Sequence, residues 1–254
     1  MKAILSFFPN LLFHVGNYFV MMTRVFNRPE RHKVYYRKFL EEINNIGIGS
    51  IGIVSIVSFF MGAVITIQGA YNFNSPWIPL YAVGMATRDT MILEFSPTII
   101  SVILCGKVGS SIAGEIGTMK VTEQVDALEI MGVNSRSYLI LPKILAALFF
   151  NPILIVLSMF LGITGGWVGG VASGAVTSFK FVYGITYLFV PYYVTYALQK
   201  TVVFAFLIAS VSAYHGYITE GGALEVGKAS TKAVVYGIIS ILIANYILTQ
   251  LLLT

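Results

Sequence analysis

An all-α integral membrane protein is the fold class this sequence predicts, and three observations predict it. Of 254 residues, 57% are hydrophobic and 11% are charged, against roughly 25% charged in soluble domains. No Asp, Glu, Lys or Arg occurs between Glu42 and Arg88. The rest of the chain breaks into apolar runs long enough, as helices, to cross a hydrocarbon core about 30 Å thick. Net charge is +5; in this setting basic residues mark membrane flanks, and no nucleic-acid partner is expected. The single Cys105 lies in an apolar run and reads as a small buried side chain with no intrachain disulfide partner.

Taken in order, residues 1–42 read as an N-terminal interfacial and cytoplasmic segment and 43–254 as the transmembrane domain. Residues 3–23 are uncharged, but Pro9, Asn10, His14, Gly16 and Asn17 interrupt them and no small-residue cleavage site follows. The spacing favours an interfacial helix whose Phe7, Phe8, Leu11, Leu12 and Phe19 dip into the headgroup boundary. A first span over 47–68 is about 33 Å long at helical rise, and 71–79 (YNFNSPWIP) reads as an interfacial turn with aromatic anchors. A second span, 96–117, is weaker. Glu94 and Lys107 leave only twelve uncharged residues between them, so Lys107 must be buried in protein or snorkel.

The third span is expected over 144–168. Gly162, Gly166, Gly170 and Gly174 recur every four residues and predict one bare helix face for close packing. Between 181 and 219 only Lys200 is charged, and 197–203 holds no Gly, Pro or Asn for a tight hairpin. Residues 181–196 are therefore expected to be interfacial, ahead of a fourth span over 199–214; a fifth follows over 233–253. This arrangement puts 13 of the 16 Lys and Arg residues on one side, leaving Arg88, Lys180 and Lys200 on the other. The positive-inside rule makes the larger group cytoplasmic and the C-terminus periplasmic or external.

The polar stretch 106–132 (GKVGSSIAGEIGTMKVTEQVDALEIMG) stands out in so apolar a chain. Its core, 122–131, is about 15 Å long as a helix, too short to cross a bilayer. Val121, Val125 and Leu128 fall on one face, and Glu123, Asp126 and Glu129 recur every third residue on another. Thr122 is expected to cap the start and Gly132 to end it. Two readings fit: a helix lying on the membrane, or a coupling helix whose apolar edge fills a partner's groove and whose acids meet basic residues. No catalytic or metal-binding motif is visible. His14, His32 and His215 are scattered, and Val108 follows Lys107 where a phosphate loop needs Ser or Thr. No ATP site is therefore expected on this chain.

The run over 106–133, continued by YLILPK, resembles the signature of the MlaE family of ABC-transporter permeases, which includes the YrbE and chloroplast TGD proteins. EFSP at 94–97, QKTVVF at 199–204 and GGALEVGKASTKAVV at 221–235 support it. The resemblance implies a homodimer of five-span subunits in the inner membrane of a diderm bacterium, moving phospholipids or related lipids. It also implies two cytoplasmic ATPases that hold ATP and Mg, a periplasmic ring of MCE-domain proteins and, in some members, a STAS-domain regulator. By the same analogy Glu115, Glu123, Gln124, Asp126 and Glu129 contact the ATPase. Two departures concern the family's arginines: Leu93 precedes Glu94 where many members have Arg, and Lys107 stands for Arg in a glycine turn, which loses a planar fork.

Charges inside a membrane are costly enough to suggest use, so Glu94, Lys107, Glu115 and Lys200 are candidates for the lipid path or its coupling, with internal ion pairing as the structural alternative. Gln68 and Tyr71, at the outer end of the first span, are further lipid-path candidates by position. Two other readings remain at this point. One is an ion-coupled carrier in which Glu94 or Glu115 titrates; the other is a membrane anchor for an MCE-type ring.

Overall fold

A computed structural model describes residues 2–26, 32–73, 77 and 79–253, and among these every regular element is helical. In chain order they are α1 (Lys2–Phe26), α2 (Tyr35–Asn72), α3 (Tyr81–Val121), α4 (Gln124–Ile130), α5 (Ser135–Ala172), α6 (Ser178–Thr186), α7 (Tyr192–Tyr217) and α8 (Ala223–Leu253). Helices α2, α3, α5, α7 and α8 are long and apolar enough to cross a membrane. The shortest, α7, has 26 residues, about 39 Å of helix.

Each of these helices overruns its apolar window, because a helix continues past the hydrocarbon into polar flanks. The difference is greatest in α3, which begins at Tyr81 rather than near 96. Arg88 does not mark a water-facing end: its side chain is 2% exposed and is neutralised inside the protein. Similarly α7 starts at Tyr192, ahead of the expected 199, and α6 is a separate helix before it. Helix α1 runs unbroken through Pro9, Gly16 and Asn17. The anchors Phe7, Phe8 and Leu11 lie outside the described side chains, and residues 74–76 and 78 of the expected interfacial turn lie outside the described residues. Of that turn, Tyr71 and Trp77 are exposed.

Three stretches wind as π-helix: Ile43–Ile48 in α2, and Met91–Ile99 and Cys105–Gly109 in α3. Pro97, which donates no hydrogen bond and crowds the carbonyl four residues back, sits in the second of these wider turns.

The chain divides into two compact units. One comprises residues 1–45, 105–147 and 206–240; the other comprises 46–104, 148–205 and 241–254. In the first, Met21, Met22 and Val25 of α1 are buried, and Tyr18 and His14 bond to Ser210 (2.8 Å) and Tyr214 (2.9 Å) of α7. Helices α3 and α7 approach closely at Gly216, where an added Cβ would lie 2.7 Å from the Ala113 carbonyl oxygen.

The second unit is organised by a glycine seam between α2 and α5. A Cβ on Gly62 would overlap the Gly162 backbone, one on Gly165 would overlap the Phe59 carbonyl, and one on Gly166 would lie 2.5 Å from Thr66 Oγ1. Gly169 and Gly170 continue the seam against Ala63 and Thr66. With backbones this close, buried hydroxyls link the helices: Ser58 donates to Ser158 (2.8 Å) and Ser158 to Ser96 (3.0 Å). Gly174 does not belong to this face. Its φ is +71° with nothing near its missing Cβ, so it turns the chain after α5 instead of packing.

Replacing Gly166 by Leu should therefore cost about 3 kcal/mol through overpacking, whereas Gly174→Ala should cost only about 1 kcal/mol of backbone strain. Thermal unfolding of the two purified variants in detergent gives the comparison, with the larger loss expected at Gly166.

Candidate functional site

Two places gather most of the candidate residues: the short helix α4 in the first unit and an ionic cluster in the second. Helix α3 ends at Val121, and Thr122, expected to cap α4, instead turns its hydroxyl back to the Thr118 carbonyl of α3 at 2.8 Å. The residue before α4 is Glu123, in the left-handed region at φ 60°, with no side-chain cap. At the other end Gly132, at φ +78°, does terminate the helix. Its N–H bonds to the Glu129 carbonyl and that of Val133 to the Leu128 carbonyl, a Schellman arrangement.

The spacing holds, with an apolar edge on one side of α4 and acids at the surface, but the apolar edge is taken up by the protein itself. Val125 is fully buried and Leu128 half-buried, so the expected docking edge faces the protein's own core. Of the acids, Asp126 accepts from Lys120 at 2.6 Å. Glu129 accepts from Ser135 (2.7 Å) and Tyr217 (2.9 Å), and the Arg136 guanidinium lies over the Tyr217 ring. The Ser135 hydrogen bond, aided by Tyr217 and the charges of Arg136 and Lys120, holds the Glu129 carboxyl below the ordinary carboxylate value. These contacts pin α4 from within. Its outward stripe is Glu123, Gln124, Ala127, Ile130 and Met131, all exposed. Ile130 and Met131 are 87% and 69% exposed. Sequence reasoning passed over these two, although positions 123, 127 and 130 keep helical spacing.

Glu115, grouped with these acids from sequence, is engaged elsewhere. Lys143 of α5, only 2% exposed, donates to Glu42 of α2 at 2.6 Å and to Glu115 of α3 at 2.7 Å.

In the second unit Lys200 of α7 is completely buried and donates to Glu94 of α3 at 2.9 Å, above the Tyr196 ring. Asn245 of α8 donates to the other Glu94 oxygen at 3.2 Å, and Thr98 shares its hydroxyl between that oxygen and Asn245, each at 3.1 Å. Asn245 was legible as one of two amides, with Gln250, in an apolar run, yet carries no charge to draw notice. Arg88 donates to the Ile185 and Tyr187 carbonyls at 2.8 Å and pairs with Asp89. It thereby closes the end of α6, where Leu188 is left-handed at φ 47°. Among the other candidates, Lys107, Gln68 and Tyr71 are exposed. No hydrogen bond among the described residues joins Gln68 or Tyr71 to Glu94.

A family model described as "Permease MlaE" matches residues 39–251, from within α2 to the end of α8. The chain belongs to the MlaE family of ABC-transporter permeases. A probable ABC transporter permease protein of Rickettsia bellii is 34% identical to the permease over 237 residues, covering 93% of this chain and 91% of that one. One from Synechocystis is 34% identical over 92% and 89% of the two chains. An Arabidopsis thaliana protein named trigalactosyldiacylglycerol 1, chloroplastic, is 31% identical over 86% of this chain and 62% of its own.

In the permease, neutralising Glu94 strands a buried Lys200. Glu94→Gln should cost about 3 kcal/mol, while Glu94→Leu combined with Lys200→Met should recover most of that loss; denaturation of the three variants in one detergent measures the coupling. The α4 anchor has a pH signature as well. Because folding lowers the Glu129 value, its contribution is complete at neutral pH and is lost as pH falls through that lowered value. Ser135→Ala should move this loss upward in pH, read as earlier hydrogen exchange across residues 124–133.

Proposed function

We propose that the permease is the membrane subunit of a lipid-moving ABC transporter, driven by a separate cytoplasmic ATPase that docks on the outward stripe of α4. The observation that carries this reading is the exposure of Ile130 and Met131 beside Glu123 and Gln124 on a helix too short to enter a bilayer. Apolar side chains left in water on a pinned helix suit a partner's groove, with flanking polar groups setting register. Asp126, Glu129 and Glu115 then serve as internal braces that keep α4 and its neighbours moving as one piece, rather than as contacts. ATP and Mg belong to the ATPase, and this chain contributes motion.

The lipid cargo rests on the Arabidopsis relative, whose name is that of a glycolipid, and on apolar helices able to wall a cavity for acyl chains. Glu94, Lys107 and Lys200, with Gln68 and Tyr71, remain the proposed polar groups of the lipid path. The assembly is a homodimer in the inner membrane of a diderm bacterium, with α1 on the membrane surface, the N-terminal segment cytoplasmic and the C-terminus periplasmic. A periplasmic MCE-domain ring and, in some settings, a STAS-domain regulator complete it. Against an ion-coupled carrier stands the pairing of both candidate acids, Glu94 with Lys200 and Glu115 with Lys143.

Ile130→Asp together with Met131→Asp should abolish co-purification of the ATPase while leaving the thermal unfolding of the permease unchanged. Undiminished co-purification from those membranes would refute the docking stripe.

A further inference from the structure

Outside the α4 stripe and the Glu94 cluster, the first unit holds a groove of about 520 Å³ between α1, α7 and α8. We propose that this groove is a fixed phospholipid site, its phosphodiester held at Lys232 and one acyl chain laid along α1 and α7. The groove shares no residue with the proposed lipid path, so the inference does not depend on the transport reading.

The groove is graded from apolar to polar. Its apolar wall is formed by Val15 and Phe19 of α1 with Leu207 and Val211 of α7. At its other end His215 stacks on Tyr236, with 5.0 Å between ring centroids, beside Lys232. There it meets a second recess of about 230 Å³ that shares His215, Ile218 and Lys232 and adds Glu220, Glu225 and Lys228. A ligand filling both must be an amphiphile whose apolar part is the larger.

Glu220, Glu225 and Lys228 line only the second recess, whereas Lys232 lines both and sets the sign of the headgroup contact in the groove. Lys228 is already paired with Glu225 at 2.6 Å. Among the described residues, Lys232 has no carboxylate within ion-pair distance. An exposed ammonium beside an apolar wall in a membrane protein recruits an anionic oxygen, and in a bilayer the abundant one is the lipid phosphate. The wall needs covering too: Phe19 is 63% exposed, and the tyrosines behind it are already satisfied, Tyr18 by Ser210 and Tyr214 by His14. With both hydroxyls engaged, the α1 and α7 wall beside Phe19 is suited to methylenes rather than to a peptide backbone.

The test is photolabelling of the full-length permease in nanodiscs containing a trace of phosphatidylethanolamine with a diazirine in its acyl chain, followed by peptide mapping. Labelling is expected to concentrate on residues 12–20 and 207–218. Lys232→Glu should lower it roughly tenfold, the scale of losing one charge-assisted contact, and Lys232→Arg should retain it. Labelling at those peptides that is equal in wild type and Lys232→Glu would overturn the proposal. So would a disulfide joining two copies through Val211→Cys, which would mean that a second subunit covers the groove.

Discussion

A lysine or arginine that cannot reach water must be neutralised inside the protein, and this constraint decides how the helices of the permease meet. Lys200, wholly buried, draws Glu94 of α3 and, through that carboxylate, Asn245 of α8 to α7. Lys143 of α5 gathers Glu42 of α2 and Glu115 of α3. Arg88 closes the end of α6. Apolar packing alone discriminates weakly between helix faces when the surrounding solvent is itself apolar. A buried cation does discriminate, because only one arrangement brings its counter-charges within hydrogen-bonding distance.

The same constraint sorts the acids by role. A carboxylate acting as a mobile proton carrier needs to part with its counter-ion during the cycle, whereas Glu94 and Glu115 are each tied to a lysine that has almost no access to water. On the proposed reading the energy source lies outside the membrane, at α4, whose inner face is held by internal contacts and whose outward stripe includes Ile130 and Met131. Lys120 and Asp126, Ser135, Tyr217 and Glu129 tie α4 to the ends of α3, α5 and α7, as a lever in the proposed mechanism would need. Force applied at Ile130 and Met131 would pass to those helices without first being absorbed by a loose connection.

Much of this was readable from the chain. The five apolar runs, the glycine repeat from 162 to 170 and the stop at Gly132 all follow from local rules about helix length, close approach and left-handed backbone. What escaped depended on tertiary pairing. The second span was begun at 96 because Glu94 reads as a boundary when taken alone, whereas α3 runs on to Tyr81 and Glu94 is paired once Lys200 arrives from α7. The ties of Asp126 and Glu129 escaped because Lys120, Ser135 and Tyr217 come from other helices, although both acids stay at the surface. Gly174 continued a four-residue repeat but fell two residues beyond the end of α5, where its positive φ serves the chain reversal.

The central claim is that lipid moves only when an ATPase works on α4. Its most direct test is fluorescent-phospholipid transfer from liposomes holding the purified permease, with the ATPase and MCE partners present or omitted, and with ATP or a non-hydrolysable analogue. Transfer that requires the partners and hydrolysis is the predicted result. Transfer by the permease alone, driven by a proton or sodium gradient, would contradict the account and return Glu94 and Glu115 to the role of titrating groups.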